Sequence, residues 1–530
     1  MHGLENAFGV LGLVAVAAVV AGVARRLNWS APLLAVLAGL AASMVPGVPE
    51  FRIEPDVVLS LILPPLLFSA ALDSSFLNFR RNLRPIGLLS VGLVLFTALV
   101  LGGVMYALVP ALSLSAAVAF GAIVAPPDAV AATAIARRLG LPRRLVVILA
   151  GESLVNDATA LTLYRVAVAA AVGTGFSFLS AAGVFVVAAA GGVLIGLAVA
   201  WLVNWVICRL SDPVLENTLM LLAPFIAFVP AETLDASGVL AVVVAGLLIG
   251  HKLPKAATYA SRLQADAVWK MIDFLLESVV FVLIGLQLHA VLNGLQSWSV
   301  AQLAGWAAVA VAVVIAARYV WVFPTTYLPR VLSRRLRERD PSPPWQFPTV
   351  VGWAGMRGVV SIAAAYALPE NFEARNLVTF LTFCVVIATL VLHGFTLPTV
   401  IRRLGMIAAD ERRADDLAEA GAQHAAINAA MNRLEELLAV DGDVPKEIVD
   451  RLRDRAEVRS LAAWERLGGP PDEHLRETPT AAYRRLRREM LEAERAVFVR
   501  LRDEGRIDDE VLRRVQFELD LEEAMMSRDE

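Results

Sequence analysis

The chain has 530 residues, of which 58% are hydrophobic and 18% are charged, and its formal net charge at pH 7 is −3. This composition is typical of a membrane protein with many spans and excludes an ordinary soluble enzyme. The two cysteines, Cys208 and Cys384, lie in separate apolar segments and predict neither a disulfide framework nor a metal site.

The charge is distributed unevenly along the chain. Residues 1–404 carry 26 Lys and Arg against 19 Asp and Glu, a net charge of +7, whereas residues 405–530 carry 21 against 31, a net charge of −10. The sequence therefore predicts a transmembrane domain at 1–404 and a small helical cytoplasmic domain at 405–530. Apolar and charged residues alternate at helical spacing in four segments of this tail, 425–440, 445–467, 480–504 and 508–526.

A membrane-spanning helix needs about 20 apolar residues. Thirteen segments meet or approach this length, at 6–24, 31–47, 56–72, 85–109, 112–136, 144–173, 179–207, 214–231, 237–251, 268–290, 300–328, 346–368 and 376–401. The first segment has no basic region before it and no small-residue cleavage site after it. We therefore expect a retained first span rather than a cleaved signal peptide.

Basic residues mark one side of the membrane. The connections on the opposite side contain only two basic residues, Arg52 and Arg375. The positive-inside rule then places the amino terminus outside, the tail in the cytoplasm and an odd number of spans in the cell membrane. The alternate connections carry 21 basic residues, namely Arg25, Arg26, Arg80, Arg81, Arg84, Arg137, Arg138, Arg143, Arg144, Arg209, Lys252, Lys255, Arg262, Lys270, Arg330, Arg334, Arg335, Arg337, Arg339, Arg402 and Arg403.

Two spans are interrupted. The fifth contains Pro126-Pro127, which removes two backbone donors at mid-membrane depth, and the twelfth places three glycines around Arg357 over residues 352–358. If spans 1–6 and 8–13 form two halves, both breaks fall in the fifth span of a half. Interruptions at matching positions are typical of inverted-repeat transporters that bind their ion at the midplane. A simple kink at the two prolines is the alternative.

The sixth span carries polar residues on two neighbouring faces. Ser153 and Asp157 are four residues apart and share one face, which offers oxygen ligands to a small hard cation. Glu152 and Asn156 share the adjacent face, where they can hold the broken helices, with Arg357 as the counter-ion of Glu152. In the alternative interpretation both acids are structural. Each would then pair with one of the arginines Arg357, Arg165 and Arg318.

Five segments together resemble the signature segments of NhaP-type sodium/proton antiporters, the bacterial relatives of the eukaryotic sodium/proton exchangers. The resemblance covers roughly residues 6–404, with thirteen spans in matching order. The segments are LPPLLF at 63–68, APPDAV at 125–130, GESLVND at 151–157, ESVVFVLIGLQ at 277–287 and GWAGMRG at 352–358.

The resemblance implies an all-α antiporter fold with inverted repeats and two discontinuous helices. Spans 1–3 and 8–10 would form a dimerisation bundle in a homodimer, and spans 4–6 and 11–13 a moving core. Asp157 would bind either the cation or the proton, with Ser153 and the backbone of Pro127 as further ligands. Asn156 would bridge the broken helices, and Asp128 would belong to the same cation- and proton-binding set.

The resemblance also implies a structural ion pair between Glu152 and Arg357. Glu277 would line the cytoplasmic funnel, with a structural, bundle-facing role as the alternative. The pair Asn156-Asp157 is typical of electroneutral relatives that exchange one cation per proton, whereas Asp-Asp is typical of electrogenic ones.

Two residues depart from the family pattern. Ser69 stands where many relatives have a glutamate that can help to bind the ion, and Pro127 stands where a threonine is usual. Both changes bear on the ion affinity and on the preference for sodium or potassium.

The sequence thus predicts a secondary antiporter, not an enzyme, that exchanges Na⁺ for protons, with Li⁺ or K⁺ as alternative cations. The cation needs a deprotonated Asp157, so cation and proton compete at one carboxylate. No cofactor and no nucleic-acid partner are expected. A sodium-coupled solute symporter of related fold and a membrane sensor that signals through the tail are the alternatives.

Overall fold

The computed structural model is built of helices and their connections over the residues that it describes, which are 2–27, 31–45, 55–173, 178–292, 295, 298–406, 409–440, 444–465, 479–504 and 506–527. No strand occurs within these residues, so the prediction of an all-helical protein is confirmed for them. The chain divides into two compact units, 1–407 and 408–530. Arg52 and the predicted end of the second span at 46–47 lie outside the described residues.

Within the described part of the first unit, twenty helices carry the predicted spans and their connections. The first ten are α1 His2–Leu27, α2 Ala31–Ser43, α3 Pro55–Val57, α4 Leu63–Leu72, α5 Phe76–Arg81, α6 Leu83–Gly87, α7 Val94–Leu108, α8 Leu114–Val124, α9 Ala129–Leu139 and α10 Arg143–Ala171. The next ten are α11 Phe178–Ile207, α12 Pro213–Thr233, α13 Gly238–Ala256, α14 Tyr259–Leu286, α15 Leu288–Leu292, α16 Val300–Leu332, α17 Arg334–Arg339, α18 Gln346–Trp353, α19 Val359–Tyr366 and α20 Arg375–Arg403. Two π-helical turns, Val58–Ile62 and Leu88–Leu93, continue α3 into α4 and α6 into α7.

Eight helical segments within the described residues are long and apolar enough to cross a membrane. They are Pro55–Leu72, Leu83–Leu108, Arg143–Ala171, Gly183–Ile207, Pro213–Thr233, Gly238–Ala256, Val300–Leu332 and Arg375–Arg403. Shorter apolar helices cover Gly12–Ala24, Ala31–Ser43 and Leu114–Val124. The prediction of a polytopic helical protein is therefore confirmed, whereas the count of thirteen spans and the inverted repeats stay predictions.

Helix α14 begins nine residues before the predicted tenth span, which starts at residue 268. Its N-cap is Thr258, whose side chain accepts a hydrogen bond from the backbone N–H of Ser261. The first turns carry Arg262 and Asp266, and hydropathy does not detect a helix in such polar turns.

Small residues bring α2 and α14 into close contact. A Cβ atom added to Gly39 would lie 2.9 Å from the Cα of Gly285, closer than real Cβ atoms approach. Both positions therefore require glycine. Such small-residue contacts are typical of helix packing in membranes, where close backbone approach replaces the hydrophobic effect as the source of stability.

The residues that the structure describes in the second unit form four helices, α21 Ala409–Val440, α22 Lys446–Glu465, α23 Pro479–Asp503 and α24 Asp509–Ser527. Helices α23 and α24 pack together around Leu491, which is fully buried. Beside this contact, the Arg487 guanidinium donates to both carboxylate oxygens of Glu522, at 2.7 and 2.8 Å. These hydrogen bonds hold the pKa of Glu522 below its usual range.

Candidate functional site

The two interrupted spans are broken in the structure, and their breaks contact each other. Residues 125–128 separate α8 from α9, and residues 354–358 separate α18 from α19. The backbone N–H of Asp128 donates a hydrogen bond to the carbonyl oxygen of Met356 at 2.7 Å. The contact satisfies one backbone group from each break, which matters because no water is available in the bilayer core. Both interruptions are therefore breaks in the helix rather than kinks.

Gly358 makes room for the side chain of Asp128 at this contact. A Cβ atom added to Gly358 would overlap Asp128 Oδ2 and lie 2.6 Å from Asp128 Cβ. The neighbouring backbone N–H of Arg357 donates to Thr389 Oγ1 at 3.1 Å, which connects the second break to α20. Glycine at position 358 thus meets a steric requirement, because a larger residue would collide with Asp128.

Helix α10 holds the first break through Asn156. This side chain is fully buried, and its Nδ2 donates to the carbonyl oxygen of Pro127 at 2.6 Å. Its Oδ1 is buried as well and has no hydrogen-bond partner among the described residues. The hydrogen bond found for the Asn156 side chain among the described residues therefore goes to the first break, and the bridge between both breaks stays a prediction. The Pro127 carbonyl, an expected cation ligand, already accepts this hydrogen bond.

The other face of α10 lines a cavity of about 290 Å³. Asp157, Ser153 and Asp128, three of the predicted ligands, all line it, and Asp157 is only 8% exposed. Glu277 of α14 lines the same cavity, as the funnel interpretation requires. Of the two prolines in the first break, Pro126 lines the cavity. The structure thus brings together residues from α10, from the first break and from α14.

The lining also includes Ser69 of α4, Asp273 of α14 and Ser361 of α19. The sequence marked Ser69 as a departure from the family pattern at an ion-binding position, whereas Asp273 and Ser361 were missed. Ser69 Oγ donates a hydrogen bond to Asp273 Oδ2 at 2.5 Å. The spacing of Asp273 and Glu277, four residues apart on one helix, is a signal that could have found Asp273. Nothing in the sequence indicates that Ser361 faces a cavity.

Glu152 pairs with Arg318 of α16, so the predicted ion pair with Arg357 is wrong. Arg318 Nη1 and Nη2 donate to the two carboxylate oxygens of Glu152 at 2.6 and 2.8 Å, and both residues are only 1% exposed. Arg318 Nε donates to the carbonyl oxygen of Val351, so the guanidinium is held flat against the carboxylate. Arg357 Nη1 donates instead to the carbonyl oxygen of Gly355 at 3.2 Å. Arg318 is one of the three arginines that the alternative interpretation named as possible partners.

Five carboxylates lie among the largely apolar residues that line the cavity. They belong to Asp73, Asp128, Asp157, Asp273 and Glu277, and serines contribute hydroxyl groups. Oxygen ligands suit hard cations, and the same carboxylates can bind a proton when the cation is absent. Arg137 also lines the cavity, 4.0 Å from Asp73, whose side chain is 71% exposed. The arrangement can therefore hold either a cation or protons in a small space beside two broken helices.

Comparisons with known proteins identify the family and the fold. The family model described as sodium/hydrogen exchanger, transmembrane, matches residues 13–403. An uncharacterized Na(+)/H(+) exchanger of Mycobacterium tuberculosis (strain ATCC 25618 / H37Rv) is 36% identical over 538 residues, which cover 98% of this chain and 96% of that protein. The Na(+)/H(+) antiporter ApNhaP of Aphanothece halophytica is 32% identical over 379 residues, 71% of this chain and 70% of that protein. The structure of the sodium proton antiporter MjNhaP1 from Methanocaldococcus jannaschii at pH 8 is similar in fold, with a TM-score of 0.56 and 17% identity over 76% of this chain and 99% of that chain.

Proposed function

Because the chain belongs to the sodium/hydrogen exchanger family, a family of secondary transporters and not of enzymes, we propose that it exchanges an alkali cation for protons at Asp157. The cation is Na⁺, with Li⁺ or K⁺ as alternatives. Cation and proton bind in turn to the same carboxylate, by alternating access across the membrane. The cation and the proton are the cargo of this cycle.

One observation carries the proposal. Asp157, Ser153 and Asp128 line a single cavity, and Asp128 belongs to the contact between the two breaks. An intramembrane carboxylate is costly unless it is paired or functional. Glu152 is paired with Arg318, whereas Asp157 faces the cavity. Asp157 is therefore the acid on α10 that can bind a cation and a proton in turn during a transport cycle.

Competition at this carboxylate would couple the two fluxes. An alkali cation requires the deprotonated form of Asp157, and a proton neutralises that form and releases the cation. An empty, charged site is costly to carry through an apolar barrier. If the core moves only when Asp157 holds a cation or a proton, each cation that crosses in one direction is matched by protons in the other.

The finer features of the proposal follow the resemblance. We place the protein in the cell membrane with its amino terminus outside and its tail in the cytoplasm, as a homodimer that contacts through spans 1–3 and 8–10. Asn156 beside Asp157 favours electroneutral exchange. The sodium-coupled symporter is not favoured, because the relatives named above are exchangers or antiporters.

The test uses proteoliposomes that contain the purified protein and a preset pH gradient. At least one of the cations Na⁺, Li⁺ and K⁺ is expected to collapse the pH gradient when it is added. Because the proposed exchange is electroneutral, a potassium–valinomycin voltage clamp is expected to leave the rate of collapse unchanged. Asp157→Asn is expected to abolish the collapse, and Asp266→Asn, a change at an exposed residue of α14, is expected to retain it. Exchange by Asp157→Asn at the wild-type rate would contradict the proposal, and so would a gradient that none of the three cations collapses.

A further inference from the structure

Asp273 lines the cavity and has a buried carboxylate oxygen without a hydrogen-bond partner among the described residues. One of its carboxylate oxygens, Oδ2, accepts a hydrogen bond from Ser69 Oγ at 2.5 Å. The other, Oδ1, is buried and has no hydrogen-bond partner among the described residues. A buried oxygen without a partner is unfavourable, and more so when the group is charged, because it loses its hydrogen bonds to water and gains none in exchange. This oxygen therefore offers a ready ligand to a cation.

The same cavity contains a second unpartnered oxygen at greater depth. Ser361, on the helix that follows the second break, is only 1% exposed, and its Oγ has no hydrogen-bond partner within the described part of the chain. Asp273 and Ser361 both line the cavity that contains Asp157. Unused oxygen ligands are thus present at more than one place along this cavity, which is what a path for a partly dehydrated cation requires.

The order of the carboxylates can be derived from their helices. Asp73 is the C-cap of α4 and is 71% exposed, and Ser69 lies one helical turn before it. Asp273, bound to Ser69, is therefore near the open end of the cavity. Glu277 lies one turn further along α14, about 6 Å of helix rise from Asp273. Asp157 is buried, at 8% exposed, whereas Asp128, Asp273 and Glu277 are half-buried and Asp73 is exposed.

We propose that Asp273, held by Ser69, forms a second alkali-cation position in this cavity, nearer to the open end than Asp157. A cation would be captured there before it passes Glu277 and reaches Asp157. The proposal rests on the proposed function, since it describes the entry path of the transported ion. The serine at position 69 has no carboxylate. In this proposal Asp273 of α14, which accepts the hydrogen bond of Ser69, provides that carboxylate.

A purely structural Asp273 is the competing explanation. In that case the hydrogen bond between Ser69 and Asp273 would only fasten α4 to α14. The two explanations differ in what a cation does. If Asp273 binds the cation, Na⁺ stabilises the protein through Asp273, and substitution of Asp273 changes the cation concentration at half-maximal rate. If Asp273 only joins the two helices, its substitution changes the thermal stability equally with and without Na⁺.

The first experiment measures the thermal unfolding of the full-length protein in Na⁺ and in choline. In Asp157→Asn, whose inner position is disabled, Na⁺ is expected to raise the melting temperature by about 2–4 °C relative to choline. The double variant Asp157→Asn/Asp273→Asn is expected to lose this shift, and Asp157→Asn/Asp266→Asn is expected to keep it. Absence of a Na⁺-dependent shift in Asp157→Asn would overturn the proposal, even if the wild type is an exchanger.

The second experiment measures exchange against cation concentration in proteoliposomes. Asp273→Asn is expected to raise the half-maximal cation concentration about tenfold and to leave the maximal rate within about twofold of wild type. The exchanged pair Ser69→Asp/Asp273→Ser, which moves the carboxylate from α14 to α4, is expected to recover most of the loss. An unchanged half-maximal concentration in Asp273→Asn would overturn the second position. A wild type without exchange would contradict the proposed function instead, and the thermal measurement would still decide whether Asp273 binds the cation.

Discussion

Glu152 and Arg318 form a buried ion pair between α10 and α16. Each residue is 1% exposed, and two hydrogen bonds join the guanidinium to the carboxylate. Arg357 is equally buried, but its Nε has no partner among the residues that the structure describes. The two arginines therefore differ in what their removal leaves behind. Loss of Arg318 leaves a buried carboxylate unpaired, and loss of Arg357 does not.

Arg318→Met is expected to lower the free energy of unfolding by about 3–5 kcal/mol, because an uncompensated buried charge is strongly destabilising. Thermal unfolding of the purified protein measures this loss. The double variant Glu152→Gln/Arg318→Met is expected to regain part of it, since no unpaired charge then remains. If Arg357→Met destabilised the protein as much as Arg318→Met does, the assignment of the pair would be contradicted.

The sequence predicted part of this residue-scale picture. The spacing of Ser153 and Asp157 placed both on one face of a helix, and both line the cavity. The partner of Glu152 was not predictable in the same way. The choice between Arg318 and Arg357 depends on which helix packs beside α10, and local spacing contains no information about that packing.

At the scale of elements, the contact between the two breaks is the feature that positions the site. The break in the fifth span follows from Pro126-Pro127, which local chemistry makes predictable. The break in the twelfth span follows from its glycines. The start of α14 was not predictable from hydropathy, because its first turns are polar although they are helical. The hydrogen bond from Asp128 to Met356 depends on the meeting of two segments about 230 residues apart, which a single sequence does not reveal.

Gly358→Ala tests this contact. The added Cβ would meet Asp128 Oδ2 and Cβ, so the breaks must separate. We expect the free energy of unfolding to fall by about 1–3 kcal/mol, and the exchange rate to fall about tenfold, which corresponds to 1.4 kcal/mol on the barrier. Gly103→Ala in α7 is the matched control, because nothing lies within 4 Å of its added Cβ.

The control is expected to change the free energy of unfolding by less than about 1 kcal/mol, in the stabilising direction, and to leave exchange unaffected. Wild-type exchange by Gly358→Ala would show that Asp128 and the second break need not be in close contact during transport.

At the scale of the whole molecule, the chain combines a membrane unit and an acidic helical unit. The charge difference between 1–404 and 405–530 predicted this division, and the structure divides the chain at 407 and 408. Periodicity indicated the helices of the second unit, but not the ion pair of Arg487 with Glu522 that joins α23 to α24. Every lining residue of the cavity belongs to the first unit. The proposed cation site therefore lies within the first unit, and we propose a regulatory role for the tail.

The measurement that tests the central claim most directly is the exchange rate as a function of cation concentration at a series of pH values. If cation and proton compete at Asp157, the half-maximal cation concentration rises about tenfold for each unit by which the pH falls, once Asp157 is mostly protonated. The maximal rate at saturating cation is then the same at every pH. Asp157→Asn is expected to show no exchange at any pH. A half-maximal cation concentration that does not depend on pH, together with a maximal rate that falls with acidification, would contradict competition at one carboxylate and would require separate sites for the cation and the proton.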